Sequence, residues 1–267
     1  MPAKKSSQRP KMNPPPEAAP DLNYRVHREP PPADPKRIFN VPGIVLFIAG
    51  LNFLFFGLMF FLPDRTATLI KLSAGLIPSQ FTQGIEANGG FLRWASPLIS
   101  HMFMHMSSLH LALNMVLLIT FGPPVAARMK GLSKVGPLGG IGRASMFLSF
   151  YILCGVAGVL TTVLLDPRQF VLAAGASAAV AGLFGAMVRF ALNRATLFGS
   201  STAKISPLLS PTVLIWSIAV VFAVIIIEVI VVSGIKGANV AWEAHLGGYF
   251  FGLLTYPFFE RAAKAYS

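Results

Sequence analysis

Charge is the scarcest property of this sequence. Only 12% of its 267 residues are Asp, Glu, Lys or Arg, about half the share that a soluble domain carries. With 54% of the chain hydrophobic, water is not its main solvent. Cysteine is almost missing too: the single Cys154 lies in an apolar run, which excludes an intrachain disulfide, a thiol redox pair and a cysteine-based metal cage. Acidic residues number ten against 22 Lys and Arg, for a net charge of +12. The basic residues nevertheless form no groove-like cluster with interleaved aromatics, so nucleic acid is not an expected partner. Also lacking is the signal-peptide pattern of a few basic residues, a short apolar stretch and a small-residue cleavage site near the start. The N-terminal segment is therefore expected to be retained, with the first apolar segment as an anchor.

What the chain does have is long apolar runs separated by Gly and Pro. A transmembrane helix needs roughly 20 mostly apolar residues. Runs of that kind cover residues 41–62, 98–122, 145–165, 171–192, 212–233 and 241–259. The expected fold is an all-α membrane protein, a bundle of six transmembrane helices spanning residues 40–262, with a short C-terminal tail at 263–267. Ahead of it, the first 37 residues hold ten prolines and eight Lys or Arg. Such a composition cannot support a packed core, and residues 1–39 read as a disordered basic tail whose proline-spaced charges suit anionic lipid. The long connection from Pro63 to Pro97 carries Leu69, Ile70, Leu72 and Phe91, which suit the membrane interface.

Charge asymmetry orients the bundle. Placing the tail in the cytoplasm puts 17 of the 22 Lys and Arg on that side: eight in the tail, four from Arg128 to Arg143, three from Arg189 to Lys204 and two after Glu260. By the positive-inside rule both termini are then cytoplasmic, and spans two, four and six all begin at the outer face. On size and economy, the expected location is a bacterial inner membrane.

Polar residues inside such spans are costly and mark function by default. Of five histidines, only His27 is in the tail; His101, His105, His110 and His245 lie in or beside spans. On a continuous helix turning about 100° per residue, His101 and His105 share one face of span two, while His110 and Asn114 share the nearly opposite one. His at i and i+4 is a common metal-ligand spacing. Against a metal site, the two pairs diverge, no second His pair exists elsewhere, and a di-iron site wants more histidines than the chain owns. No metal or other cofactor is expected. Glu228, in the Val-Ile run of span five, reads as a hydrogen bond to a neighbouring helix, or as a latch on a substrate entry gap.

Span four opens Ala173-Ala-Gly175-Ala-Ser177-Ala-Ala-Val-Ala-Gly182-Leu-Phe-Gly185, a run of small residues that permits close helix approach. It is not a Gly-x-Ser-x-Gly elbow, because residue 179 is alanine and no strand precedes it. The Asp166-Pro167 turn and Gly175 put Ser177 near a helix start, where free backbone N–H groups can stabilise an anion. Span six begins Ala244-His245-Leu-Gly247-Gly248 and continues to Gly252. Gly248 and Gly252 form a small-xxx-small pattern, and His245 shares their side. If the partner is span four, His245 can accept the Ser177 proton as a general base. No Asp sits where a third triad member is obvious, so the arrangement reads as a dyad.

These segments resemble the rhomboid family of intramembrane serine proteases over roughly residues 98–259. The family's His, His, His, Asn pattern falls on His101, His105, His110 and Asn114. Its Gly-x-Ser motif falls on Gly175 and Ser177, followed by Gly182 and Gly185, and its Ala-His-x-x-Gly-x-x-x-Gly motif falls on Ala244, His245, Gly248 and Gly252. The resemblance implies Ser177 as nucleophile, His245 as general base and acid, and His110 and Asn114 as oxyanion donors beside the Ser177 N–H. His101 and His105 would support the site, His105 holding water near it. Substrates would be transmembrane segments of other membrane proteins, cut near their outer ends and favouring small or helix-weakening residues. The sequence departs from the family at Ala178, where glycine is usual, at Ala181, where many relatives have an aromatic, and at Arg93-Trp94, which reverses the expected Trp-Arg pair. The alternative within this resemblance is a catalytically silent protein that binds transmembrane segments. A transporter using the span-two histidines is a third reading, against which the two halves show no convincing repeat.

Overall fold

The computed structural model describes residues 41–129, 137–191, 204–234 and 241–265, with side chains omitted for 137–140 and 227–234. The basic tail and His27 lie outside the described residues, and so does the Glu228 side chain.

In chain order, the long first helix α1 (Gly43–Phe60) is followed by α2 (Asp64–Ala74) and four short helices: α3 (Pro78–Phe81), α4 (Gly84–Ala87), α5 (Phe91–Ala95) and α6 (Pro97–Ser100). A 3₁₀ turn over His101–Phe103 leads to α7 (Ser108–Met129) and α8 (Pro137–Leu165). The remaining helices are α9 (Ser177–Phe190), α10 (Pro211–Gly234) and α11 (Trp242–Ala265). Among the described residues there is no strand, only an isolated antiparallel bridge between Leu76 and Ala173. Among the described residues, three segments, Gly43–Phe60, Ser108–Met129 and Ile141–Leu165, are long and apolar enough to cross a membrane; Ser177–Phe190 is a shorter apolar helix, and α10 is apolar over the part whose side chains are described, Pro211–Ile226. Large apolar side chains such as Phe47, Phe60, Leu113, Ile215 and Phe222 stay exposed on these helices, as expected where the solvent is lipid rather than water.

Two helices depart from the expected spans. The second was expected as one helix over 98–122, but the chain leaves the helical path between Met104 and Ser107 and restarts at Ser108. The restart is capped: Ser107 Oγ accepts the His110 N–H at 3.2 Å, the local bond that favours Ser just ahead of a helix. His101 and His105 therefore do not share a helical face, and the two-faced single helix is replaced by a turn with a helix behind it. α7 then runs on to Met129 through Pro123 and Pro124. The fourth span was expected from residue 171, but helix begins only at Ser177. Gly175, at φ +114, sits in a backbone region that L side chains rarely adopt, which keeps the segment ahead of Ser177 out of the helix. At the other end of the chain, the residues expected to form a tail from 263 continue α11 through Ala265.

Glycine sets how closely the central helices approach. A Cβ at Gly248 would land on the Ala178 carbonyl, one at Gly252 on the Gly182 carbonyl, and one at Gly185 on the Tyr249 carbonyl. α9 and α11 thus pack backbone to backbone, the geometry that small residues allow inside a membrane. The adjoining core includes Phe147, Phe150, Tyr151, Leu183 and Tyr256, each with almost no exposed surface.

Candidate active site

Ser177 is the first residue of α9. The first helical bond there runs from Val180 N–H to Ala176 O at 3.0 Å, so the N–H groups of Ser177, Ala178 and Ala179 have no intrahelical acceptor. They form a cluster of donors at the positive end of the helix. Backbone bonds hold the approach to this point. Leu76 and Ala173 exchange N–H···O bonds of 3.0 and 2.8 Å, and Gly175 N–H donates to His101 O at 2.8 Å.

His245, in the first turn of α11, stands across from the serine. Its Nε2 lies 2.8 Å from Ser177 Oγ, within the range of a good hydrogen bond. With Nε2 unprotonated, the hydroxyl donates to it, which is the alignment a general base needs. No carboxylate among the described residues hydrogen-bonds to the His245 ring. The helix contact that carries this pair is the close approach of Gly248 to Ala178, three residues beyond His245 and one beyond Ser177.

His110 and Asn114, one turn apart at the start of α7, reach the same place from the other side. A Cβ built on Gly175 would lie 2.7 Å from His110 Cε1 and Nε2 and 3.7 Å from Asn114 Nδ2. The space left by glycine at 175 is what admits the His110 ring, while Asn114 stands at ordinary contact distance. Asn114 Nδ2 donates one hydrogen to His110 O at 2.9 Å, leaving its second free. A developing negative oxygen beside Ser177 would thus face the Ser177 N–H, an imidazole and a carboxamide, donors of the type that form oxyanion holes.

The remaining predicted residues frame this group. The His105 ring packs edge-on against the His110 ring, with centroids 5.1 Å apart. His105 is buried, and neither of its ring nitrogens has a protein partner. His101 Nδ1 donates to Pro97 O at 2.8 Å, while its backbone carbonyl holds Gly175. Arg93 is not at the site, and Trp94 stacks on Phe81 at 4.6 Å while its Nε1 donates to Phe81 O.

The two alanine departures have separate explanations. A Cβ at Gly158 of α8 would come 2.6 Å from the Ala178 Cβ, so the extra methyl at 178 occupies room that Gly158 vacates. Ala181 packs beside Val188, Val213, Tyr249 and Leu253. The aromatic next along α9 is Phe184, whose ring meets Trp216 of α10 and Tyr249 of α11. Gly158, the Leu76–Ala173 bridge and the Ser107 cap were not singled out from the sequence. Only the cap had a local signal, the Ser107-Ser108 pair before an apolar run.

A comparison with curated proteins finds no match. The family model described as the Rhomboid domain matches residues 92–261, more than half of the chain and every one of the site residues above, and the chain belongs to the rhomboid family.

Proposed function

We propose that this protein is a serine endopeptidase that works inside the membrane, with Ser177 as nucleophile and His245 as general base and then general acid. The observation that carries the reading is the 2.8 Å contact between His245 Nε2 and Ser177 Oγ at the start of α9. Ser177 Oγ attacks a peptide carbonyl and passes its proton to His245. The tetrahedral oxyanion is held by the Ser177 N–H, His110 and Asn114. His245 then protonates the leaving amine, and water hydrolyses the acyl-enzyme with the same histidine as base. Substrates are transmembrane segments of other membrane proteins, cut near the outer face. Helix-weakening residues favour cleavage, since a carbonyl bonded within a helix is not free to be attacked.

The reading extends to topology. Six spans, α1 and α7 to α11, cross a bacterial inner membrane with both termini in the cytoplasm. Residues 1–39 form a basic cytoplasmic tail and 40–262 the membrane domain. α9 has 14 residues, about 21 Å of helix, and so falls short of the roughly 30 Å hydrocarbon core. The non-helical residues before Ser177 make up the difference. Irregular backbone at that depth is tolerated when it is buried in protein or lines a wet cavity, and an intramembrane hydrolase needs both.

The test is labelling of the purified, reconstituted chain with a fluorophosphonate probe. The native protein is expected to label, while Ser177→Ala and His245→Ala are not. A folded native protein that takes no label would favour a silent member that binds transmembrane segments.

A further inference from the structure

The connection between α1 and α7 forms an open surface cavity of about 320 Å³ that the serine chemistry does not use. Ser73, Gln80, Asn88 and Arg93 supply its polar wall, and Trp94 and Leu76 its apolar one. Among the described residues Arg93 is its only charged lining residue, and no carboxylate pairs with it. Asn88 is committed to the backbone, donating to Gln80 O and Gly84 O at 2.9 and 2.8 Å, which fixes that wall.

The surroundings of the cavity are apolar and largely exposed. Phe91 is 60% exposed and Leu92 81%, immediately ahead of Arg93; Leu69 is 59% exposed and Leu72, which lines the cavity, 43%. Largely exposed Phe and Leu side chains grouped in this way belong in acyl chains rather than water. An exposed arginine at a polar recess, bordered by exposed apolar side chains, matches a phosphodiester with two fatty chains: Arg binds phosphate through paired N–H groups. We propose that this cavity is a binding site for the headgroup of a glycerophospholipid, with its phosphate on Arg93 and its acyl chains along Phe91, Leu92 and Leu72. The floor residue, Leu76, is bridged to Ala173, and Ser100 Oγ donates to Ala74 O at 2.6 Å. A seated headgroup therefore braces the segment that leads to Ser177. The inference rests on the chain being a membrane protein and is independent of whether Ser177 is reactive.

Native mass spectrometry of the full chain, released from detergent micelles with dioleoyl-phosphatidylglycerol, tests it. One lipid is expected to stay bound. Arg93→Gln and Gln80→Leu should each weaken retention about tenfold or more, the scale of one lost charge-assisted hydrogen bond. Lys71→Gln, on α2 but outside the cavity, should leave it unchanged. Equal retention in both cavity variants, or equal loss in Lys71→Gln, would overturn the proposal. Displacement of the lipid by inorganic phosphate at matched concentration, or equal retention of dioleoylglycerol, would overturn it as well, since the first marks a free-phosphate site and the second unspecific acyl contact.

Discussion

His110 and Asn114 differ from Ser177 and His245 in what their loss removes. Under the proposed mechanism the dyad makes and breaks bonds, whereas the other two only lower the energy of the oxyanion. His110→Ala and Asn114→Ala are each expected to reduce kcat by about a hundredfold to a thousandfold with little change in KM. The two effects should combine to less than their product, because both act on one oxygen. Steady-state cleavage of a fluorogenic transmembrane peptide in proteoliposomes measures this, and an unchanged kcat in either variant would remove that residue from the oxyanion site. These residues were legible in the sequence as candidates because few side chains can do such chemistry and the membrane makes each one conspicuous. What surrounds them was not. The methyl of Ala178 is seated opposite Gly158, 20 residues away on another helix, and spacing along the chain does not say which helix a small residue faces.

Glycines that look alike in sequence separate once their neighbours are known. Gly57 in α1 has open space where a Cβ would go, whereas Gly252 in α11 has the backbone of Gly182 there. Gly57→Ala is expected to be neutral or to stabilise by about 0.5–1 kcal/mol, the ordinary helix preference for alanine. Gly252→Ala must push α11 off α9, at a cost of about 1–3 kcal/mol for overpacking, and should lengthen the Ser177–His245 contact. Reversible unfolding in mixed micelles, read beside fluorophosphonate labelling, distinguishes them: Gly252→Ala should lose both stability and labelling, Gly57→Ala neither. Helix existence followed from apolar runs, but the starts of α7 and α9 did not. An apolar run continues through residues 171–176 whether or not the backbone is helical, and what stops the helix there is tertiary: Ala173 and Gly175 bond to Leu76 and His101 rather than to their own next turn, whereas α7 starts at the local Ser107 cap.

α7, α9 and α11 all begin at the candidate site, and their far ends carry the charges. Glu260 is buried, with Arg128 Nε at 3.0 Å and Lys264 Nζ at 2.6 Å, and the Arg128 guanidinium lies over the Phe190 ring at 4.8 Å. The ends of the three helices that supply the dyad and the oxyanion donors are thereby joined about 22 Å from His245, at 1.5 Å per residue. A nearby second tie runs from Arg189, whose Nη1 donates to Leu253 O at 2.7 Å and Nε to Ser206 O at 2.9 Å. Removing one member of a buried pair leaves the other charge uncompensated. The Arg128 side chain is 22% exposed, so Glu260→Gln is expected to cost about 2–3 kcal/mol, at or below the low end of the range for buried pairs. Lys264 is 51% exposed, and Lys264→Gln should change stability by no more than about 0.5 kcal/mol. Denaturant unfolding measures both. Because the cluster is remote from Ser177, the fraction of Glu260→Gln protein that remains folded should label with fluorophosphonate at the native rate. A slower rate in that fraction would mean that the charged end sets the geometry of the dyad as well as its stability.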